Sequence, residues 1–138
     1  MEIPIEFTSS LIYQQFKHSA LVDGMAGGQS NSYHFITGPR SNLWIQCDLM
    51  EVKQIGSIRV LVRGLRNYGG NYKDVEVRLG NVSGSGDFTQ NELIGFLEGE
   101  KFGEIVEYNL EQPAFGRYLS FQSRTNVFLQ IGEIIMTP

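Results

Sequence analysis

The sequence predicts an all-β fold of the antiparallel sandwich type, and three observations carry that prediction. Apolar and polar residues alternate in short runs, glycine, asparagine, serine and proline separate these runs, and no long segment has the apolar period of a helix. Alternation of this kind places every other side chain on the same face of a strand. With 138 residues, of which 41% are hydrophobic, the chain fits a single domain with its own core, residues 1–138.

Six segments show the alternation of a strand. In chain order they are Trp44–Leu49, Ser57–Leu65, Asp74–Gly80, Glu104–Leu110, Gly116–Arg124 and Phe128–Thr137. The residues predicted to share one apolar face of their strand are Ile45, Cys47, Leu49, Ile58, Val60, Val62, Val75, Val77, Leu79, Leu119, Phe121, Leu129, Ile131 and Ile135. Leu11–His18 has room for one helical turn at most.

Glycine-rich segments predict the loops between these strands. The segment 23–28 begins with Asp23-Gly24, the segment 63–73 carries Asn67-Tyr68-Gly69-Gly70-Asn71-Tyr72, and the segment 81–87 carries Ser83-Gly84-Ser85-Gly86. Any ligand-binding side chains are expected on such loops, which the rigid strands hold in place.

Charge and cysteine content exclude several classes of protein. The net charge is −4, with 11 basic and 15 acidic residues, and no cluster of lysine and arginine indicates nucleic-acid binding. Cys47 is the single cysteine, which excludes an intramolecular disulfide and, with only two histidines, falls short of a structural zinc site. No apolar run approaches the roughly 20 residues of a transmembrane helix, and the N-terminal residues are too acidic for a signal peptide.

Seven short motifs follow one another in an order that resembles a known family. They are Thr8-Ser9-Ser10, Ala20-Leu21-Val22-Asp23-Gly24, Leu43-Trp44-Ile45-Gln46-Cys47-Asp48-Leu49, Ile55-Gly56-Ser57-Ile58-Arg59-Val60 with Arg63, Val75-Glu76-Val77-Arg78-Leu79-Gly80-Asn81, Gly116-Arg117-Tyr118-Leu119 and Leu129-Gln130-Ile131-Gly132-Glu133-Ile134. Together they resemble the discoidin family, which includes the C domains of coagulation factors V and VIII, and most of all its F-type lectins. The resemblance covers nearly the whole chain and implies a discoidin-like jelly-roll β-sandwich of about eight strands, with binding loops at one end. It also implies a packing role for Trp44.

The resemblance to the lectins of this family implies one structural calcium ion. Its ligands would be the carboxylates of Asp23 and Glu133, the carbonyl groups of Ala20, Met25 and Gly132, and Ser32, for which Asn31 or Ser30 is an alternative. Carboxylate and carbonyl oxygens are the ligands that Ca²⁺ prefers.

Strand alternation gives a separate reason to expect an ion beside Glu133. This residue has the parity of Leu129, Ile131 and Ile135, which predicts that it points inward, and a buried carboxylate without a partner is costly. The alternatives are a position at the end of the strand or pairing with an arginine such as Arg117.

The resemblance also implies a shallow sugar pocket, in which one histidine and two arginines donate to ring hydroxyls. His34 stands at the position of the histidine and Arg63 at that of the first arginine. Where the family has an aspartate and a second arginine, this sequence has Leu65 and, roughly, Asn71, which puts strict fucose specificity in doubt. Arg66 and Lys73 are candidate replacements, although lysine does not reproduce the forked hydrogen bonds of arginine. A solvent-facing loop position is the alternative for His34.

The tyrosines of the segment 67–72 complete the predicted site. Tyr68 and Tyr72 each offer a flat apolar face and a hydroxyl group, which suits the C–H faces of sugars. The alternative is an ordinary hairpin tip whose tyrosines fold back on the sandwich. The predicted carbohydrate-binding residues are His34, Arg63, Arg66, Tyr68, Asn71 and Tyr72.

The sequence thus predicts a lectin or carbohydrate-binding module whose partners are glycans or glycoproteins. The alternative of a different class is a cell-adhesion or protein-interaction domain, and the negative charge argues against anionic phospholipid. No set of nucleophile, base and orienting group is recognisable, so we do not expect an enzyme. Because single lectin sites are weak, a homo-oligomer is in keeping with this function. The resemblance implies a secreted protein, while the single cysteine and the acidic N-terminal segment leave a cytoplasmic one open.

Overall fold

Seven β-strands make up the described part of this computed structural model, which contains no helix. The structure describes residues 6–9, 35–40, 43–62, 72–101, 105–124 and 127–138. The strands are β1 (Glu6–Ser9), β2 (Phe35–Arg40), β3 (Trp44–Val62), β4 (Tyr72–Gly80), β5 (Glu92–Lys101), β6 (Ile105–Ser123) and β7 (Val127–Thr137). All pairings are antiparallel, in the order β2-β7-β3-β6-β4-β5 with β1 beside β3. The predicted all-β fold is confirmed, and the described residues include no membrane-spanning helix.

The long strands β3 and β6 divide the sheet into two layers. Each has 19 residues, and the register of their pairing shifts between Asp48 and Lys53 and again between Ile55 and Ser57. Before these shifts β3 pairs with β1, and the partner half of β6 pairs with β4, which carries β5. After them β3 pairs with β7, which carries β2. We name these sets layer A and layer B, and the region of the shifts the bend.

The two layers face each other as a sandwich. β4 of layer A contacts β7 of layer B, although the two strands are not hydrogen-bonded neighbours. Gly95 of β5 lies against Tyr108, which β6 contributes to layer B: a Cβ atom on Gly95 would come within 2.5 Å of Cδ1 of the tyrosine ring. A glycine of layer A therefore makes room for an aromatic ring of layer B.

The core between the layers consists largely of residues that alternation predicts on the apolar faces. Those confirmed as buried are Ile45, Cys47, Leu49, Ile58, Val60, Val62, Val75, Val77, Leu79, Leu119, Phe121 and Ile131. Complete burial of a Leu, Ile or Phe side chain stabilises a fold by roughly 1.5–3 kcal/mol relative to exposure. Cys47 is a core thiol as predicted, and its burial raises the pKa of the thiol far above the usual range.

The connection between β4 and β5, residues 81–91, covers part of the outer face of layer A. Gln46 and Gln122 point away from the core, yet only 3% and 6% of their surface is exposed. The amide of Gly84 donates to Gln46 Oε1 at 2.9 Å, and Gln122 Nε2 donates to the carbonyl of Gly86 at 2.8 Å. Both amide side chains thus bind the backbone of the covering segment.

Two further contacts hold this segment in place. Trp44 meets Phe88 edge to face, with ring centroids 5.3 Å apart, so Trp44 has the predicted packing role. Asn91, which is 4% exposed, accepts from the amide of Val82 at 3.1 Å and donates to its carbonyl at 2.7 Å. The loop predicted at 81–87 is therefore a well-bonded covering segment.

An ion pair beside the bend joins β3 to β6. Nε of Arg117 donates to Oδ1 of Asp48 at 2.7 Å, and Nη2 donates to Oδ2 at 3.0 Å. Oδ1 also accepts from the amide of Met50 at 2.8 Å, where the backbone has φ of 71°. These hydrogen bonds, above all those from Arg117, hold the pKa of Asp48 below its usual value. The aspartate and arginine of two family-like motifs thus contact each other.

The strand boundaries differ from the prediction in two ways. β3 joins the predicted strand Trp44–Leu49 to the described part, 57–62, of Ser57–Leu65, and β6 joins the described part, 105–110, of Glu104–Leu110 to residues 116–123 of Gly116–Arg124. β1, β2 and β5 were not predicted as strands. β5 shifts register against β4 at two places, so its apolar residues do not keep a single alternating pattern.

A bulge in β7 overturns the predicted alternation of that strand. Leu61 pairs with Glu133 and the next residue of β3, Val62, pairs with Ile131, so Gly132 is the extra residue. Ile131 and Ile134 are buried at 0% and 3% exposure, whereas Ile135 is 39% exposed. The prediction that Ile135 shares the inward face of Ile131 is wrong. The parity argument that pointed Glu133 inward fails with it, because the bulge changes the phase of the strand.

Candidate functional site

The end of the sandwich opposite the bend gathers strand ends from both layers, and we name it the rim. In layer B, Val62 lies beside Ile131. In layer A, Trp44 lies beside Gln122, and the start of β4 pairs with the end of β5. The connections between β2 and β3, β3 and β4, β5 and β6, and β6 and β7 all leave the described strands here. This arrangement agrees with the predicted fold, in which the binding loops share one end.

Two strand ends flank the same residue of β7: Val62 is the rim end of β3, and Phe35 is the end of β2 farther from the rim. Phe35 of β2 and Val62 of β3 both pair with Ile131, one from each side. Because neighbouring strands lie about 4.8 Å apart, these two backbone positions are about 10 Å apart across β7. His34 directly precedes Phe35, and Arg63 directly follows Val62. Connectivity thus ties both predicted sugar ligands to neighbouring strand ends, although His34 and Arg63 themselves lie outside the described residues.

The other predicted sugar-binding residues belong to the connection between β3 and β4. Arg66, Tyr68 and Asn71 lie outside the described residues. Tyr72 is the first residue of β4 and pairs with Lys101, and only its backbone is described. This connection therefore begins next to Val62 in layer B and ends at Tyr72 in layer A.

The predicted calcium ligands divide between the β7 bulge and the segment before β2. Gly132 and Glu133 lie in the bulge, described by backbone alone, between the neighbours β2 and β3. Ala20, Asp23, Met25 and Ser32 lie outside the described residues. Within the described part of the chain, no three His, Cys, Asp or Glu side chains form a metal-binding group.

Sequence reasoning missed a hydrogen-bonded junction at the rim, formed by Ser123 and Arg124. The amide of Ser123 donates to the carbonyl of Leu43 at 2.8 Å, and its hydroxyl donates to the carbonyl of Lys73 at 2.8 Å. The amide of Arg124 donates to the carbonyl of Asp74 at 3.0 Å. No local sequence pattern predicts these hydrogen bonds, because Ser123 and Lys73 are 50 positions apart in the chain.

A cluster of charged side chains lies next to this junction on the outer face of layer A. Oε1 of Glu76 accepts from Nη2 of Arg78 at 3.0 Å, and Oε2 of the same carboxylate contacts Nε of Arg124. The Glu76 side chain is only 13% exposed, so two guanidinium groups balance a largely buried carboxylate. Nη1 of Arg78 also donates to the carbonyl of Asn91 at 2.9 Å, which links the cluster to the covering segment.

An apolar pocket of about 110 Å³ lies at the other end of the molecule, near the bend. Its lining consists of Leu49, Lys53, Gln54, Ile55, Met136, Thr137 and Pro138. The pocket is thus far along the strands from Val62 and Ile131, and it contains none of the predicted sugar-binding or calcium-binding residues.

Comparisons with known proteins match this chain by structure and not by sequence. No model of a protein family and no curated protein sequence matches it. An F-lectin (fucolectin) from striped bass (Morone saxatilis) serum is 20% identical, with a TM-score of 0.80, over 96% of this chain. The chain spans only 45% of that fucolectin.

Two carbohydrate-binding domains are similar over most of their own length. The family 32 carbohydrate-binding module of Clostridium perfringens NanJ, solved with galactose, is 14% identical, with a TM-score of 0.77, over 96% of this chain and 92% of the module. The lectin domain of lectinolysin, solved with Lewis b antigen, is 18% identical, with a TM-score of 0.77, over 96% of this chain and 91% of that domain. At these identities the likeness shows the fold.

Proposed function

We propose that this chain, which has the discoidin-like β-sandwich fold of F-type lectins and family 32 carbohydrate-binding modules, binds carbohydrate at its rim. The observation that carries the proposal is the shared pairing of Phe35 and Val62 with Ile131. Phe35 and Val62 lie about 10 Å apart across this single strand, and His34 directly precedes Phe35 while Arg63 directly follows Val62. In this proposal the side chains of His34 and Arg63 both bind one sugar. Similar structures solved with galactose and with Lewis b antigen support the same ligand class.

The proposed chemistry is hydrogen bonding to ring hydroxyls combined with contact to the apolar face of the sugar. The Arg63 guanidinium offers a planar fork of donors, and the His34 imidazole adds a donor or acceptor. Tyr68 and Tyr72 supply rings for the C–H face, and Arg66 and Asn71 supply further polar groups. Apart from His34, these residues belong to the segment that leaves β3 at the rim and ends at Tyr72.

The ligand in this proposal is a neutral sugar and is not restricted to fucose. Leu65 stands where the family resemblance implies an aspartate, and an aliphatic side chain cannot orient an arginine as a carboxylate does. We therefore expect galactose-type and fucose-type sugars to compete for one site.

A structural calcium ion is part of the proposal. The backbone of Gly132 and Glu133 forms the β7 bulge beside Ile131, where alternation is interrupted. Asp23, Ser32 and the carbonyl groups of Ala20 and Met25 would complete an oxygen-rich ligand set of the kind Ca²⁺ prefers. Because an ion that binds only the folded state stabilises it, added Ca²⁺ should raise the melting temperature and chelation should lower it. A melting temperature that is insensitive to both would remove the ion from the proposal.

We propose that the chain is a binding domain without catalytic activity of its own and that it binds glycans or glycoproteins outside the cell. Individual lectin sites bind weakly, so the domain would gain affinity from several copies. The oligomeric state in solution, measured by light scattering, reports whether those copies belong to one assembly.

The direct test is a calorimetric titration with galactose, fucose and Lewis b antigen, repeated with the Arg63→Ala variant. Arg59→Ala is the matched control, since Arg59 lies in β3, shortly before Arg63 in the sequence, and is paired with Glu107 at 3.0 Å. We expect Arg63→Ala to weaken binding at least about tenfold, from the loss of charge-assisted hydrogen bonds, and Arg59→Ala to bind as the wild type does. Equal affinities for the two variants, or no binding by the wild type, contradict the proposed site.

A further inference from the structure

We propose that Asp74, Ser123 and Arg124 are positioning residues for the rim, which fix where its connections start and end without contacting the ligand. The functional meaning of this inference rests on the proposed sugar binding. Its structural part, the coupling of separate rim connections through one junction, does not.

The junction joins chain positions that are distant in sequence. Ser123 is 0% exposed, and its amide and hydroxyl donate to the carbonyl groups of Leu43 and Lys73. A buried carbonyl that loses its donor costs free energy, so these contacts hold the starts of β3 and β4 against the end of β6. The Arg124 amide extends the same ladder to Asp74.

Asp74 connects the junction to β5. Its φ of 47° lies in the left-handed region, which aspartate tolerates better than most residues. Its carboxylate accepts from the amide of Gly99 at 2.8 Å, and Gly99 itself has φ of 83°. Both residues lie where the register of β4 and β5 shifts between Lys73 and Val75. One side chain therefore fixes two unusual backbone conformations on neighbouring strands.

Each partner in the junction stands near the end of a different rim connection. Leu43 ends the connection from β2, and Lys73 and Asp74 follow the connection that contains Arg63. Gly99 precedes the connection to β6, and Arg124 precedes the connection to β7. Because the junction bonds all of these positions together, we infer that the spacing of the rim connections is set here. Affinity for a ligand held between them should depend on that spacing.

The bend provides a matched control for a merely stabilising role. There Asp48 also accepts from the amide of a residue with positive φ, Met50, at 2.8 Å. Removing either carboxylate costs a backbone hydrogen bond and should destabilise the fold. Only the removal of Asp74 should also change the rim.

The experiment compares Asp74→Ala, Asp74→Asn and Asp48→Ala in two measurements at a temperature where all remain folded. Titration with galactose and with fucose gives the affinity, and amide hydrogen exchange gives the opening of residues 63–71. We expect Asp74→Ala to weaken sugar binding roughly threefold to tenfold and to speed exchange at 63–71. Asp74→Asn, which keeps an acceptor oxygen and tolerates positive φ, should restore both, and Asp48→Ala should change neither.

The two measurements separate the failure of this inference from that of sugar binding. If the wild type binds neither sugar, the proposed function is contradicted at those ligands, and the exchange result alone decides the positioning role. Exchange at 63–71 that is the same in Asp74→Ala and Asp48→Ala overturns the inference. The inference is also overturned if the wild type binds sugar and the Asp74→Ala variant binds it with the same affinity.

Discussion

At the scale of single residues, the side chains that strand alternation points away from the core do much of the specific bonding. Asp48 points away from the core, yet it binds Arg117 through both carboxylate oxygens and accepts from the amide of Met50. Gln46 and Gln122, on the same face, bind the covering segment. Residues of the family-like motifs whose side chains point away from the core are thus explained by their hydrogen bonds to other strands and to the covering segment.

The lowered pKa of Asp48 predicts a pH-dependent contribution to stability. A carboxyl group with a lower pKa in the folded state stabilises the fold above its unfolded pKa of about 3.9, and the gain is lost as the pH falls through the folded pKa. We expect Asp48→Asn to lower the free energy of unfolding by about 1–2 kcal/mol at neutral pH, from weaker hydrogen bonds with Arg117. The difference from the wild type should shrink in acid.

Urea unfolding at pH 7 and at pH 3 checks this expectation. Glu51→Gln is the control, because Glu51 is exposed and, among the described residues, pairs with Lys53, a neighbour on its own strand. An Asp48→Asn deficit that is equally large at both pH values would show that lost packing, and not lost charge, causes it.

At the scale of elements, bulges decide which residues a strand buries. β7 changes phase at Gly132, so Ile134 lies inside and Ile135 outside. β5 shifts register twice against β4, once around Gly99 with its positive φ. Both shifts remove the alternation by which a strand is recognised in sequence.

The bulge in β7 predicts opposite outcomes for two adjacent isoleucines. Ile134→Ala should cost about 2–5 kcal/mol, because it leaves a cavity in the core, and Ile135→Ala should cost clearly less. Chemical denaturation of the two variants measures both values. An equal loss of stability for the two variants, or a larger loss for Ile135→Ala, would contradict the bulge and support the unbroken alternation that the sequence suggests.

The sequence predicted the parts of the fold in which alternation is regular. The β3, β4 and β6 core residues, such as Ile58, Val77 and Phe121, were found from period alone, because each strand keeps its phase there. β1 is short, β2 (Phe-Ile-Thr-Gly-Pro-Arg) does not alternate between apolar and polar residues, and β5 is bulged. The junction at Ser123 was not predictable, since its bonds join residues that are neighbours only after folding. For the site, the residues named from resemblance stay predictions, and the structure adds the strand ends that carry them.

At the scale of the whole molecule, the two layers share strands. β3 and β6 each run through layer A, the bend and layer B, so neither layer has a complete set of strands without the other. Buried residues of both layers, such as Ile45 and Val60, form one continuous core cluster. Unfolding of one layer alone would therefore remove hydrogen-bonded strand partners from the other layer.

We therefore expect unfolding to be a single cooperative transition. Trp44 reports on layer A through its contact with Phe88, while far-ultraviolet circular dichroism reports on the strands of both layers. The two signals should give the same midpoint in thermal or denaturant unfolding. A fluorescence change that clearly precedes the loss of strand signal would show that layer A, or its covering segment, opens independently.

Because Cys47 is buried, the chemical reactivity of its thiol reports on opening of the folded protein. The thiol has no solvent contact, and its proton is held tightly, so an alkylating or disulfide-forming reagent meets it only in molecules that have come apart. The rate of covalent labelling therefore measures how often the native state opens, and no other thiol competes for the reagent, since the chain has one cysteine. A ligand or ion that holds the sandwich closed would be detected as protection of this sulfur, even where it changes no spectrum.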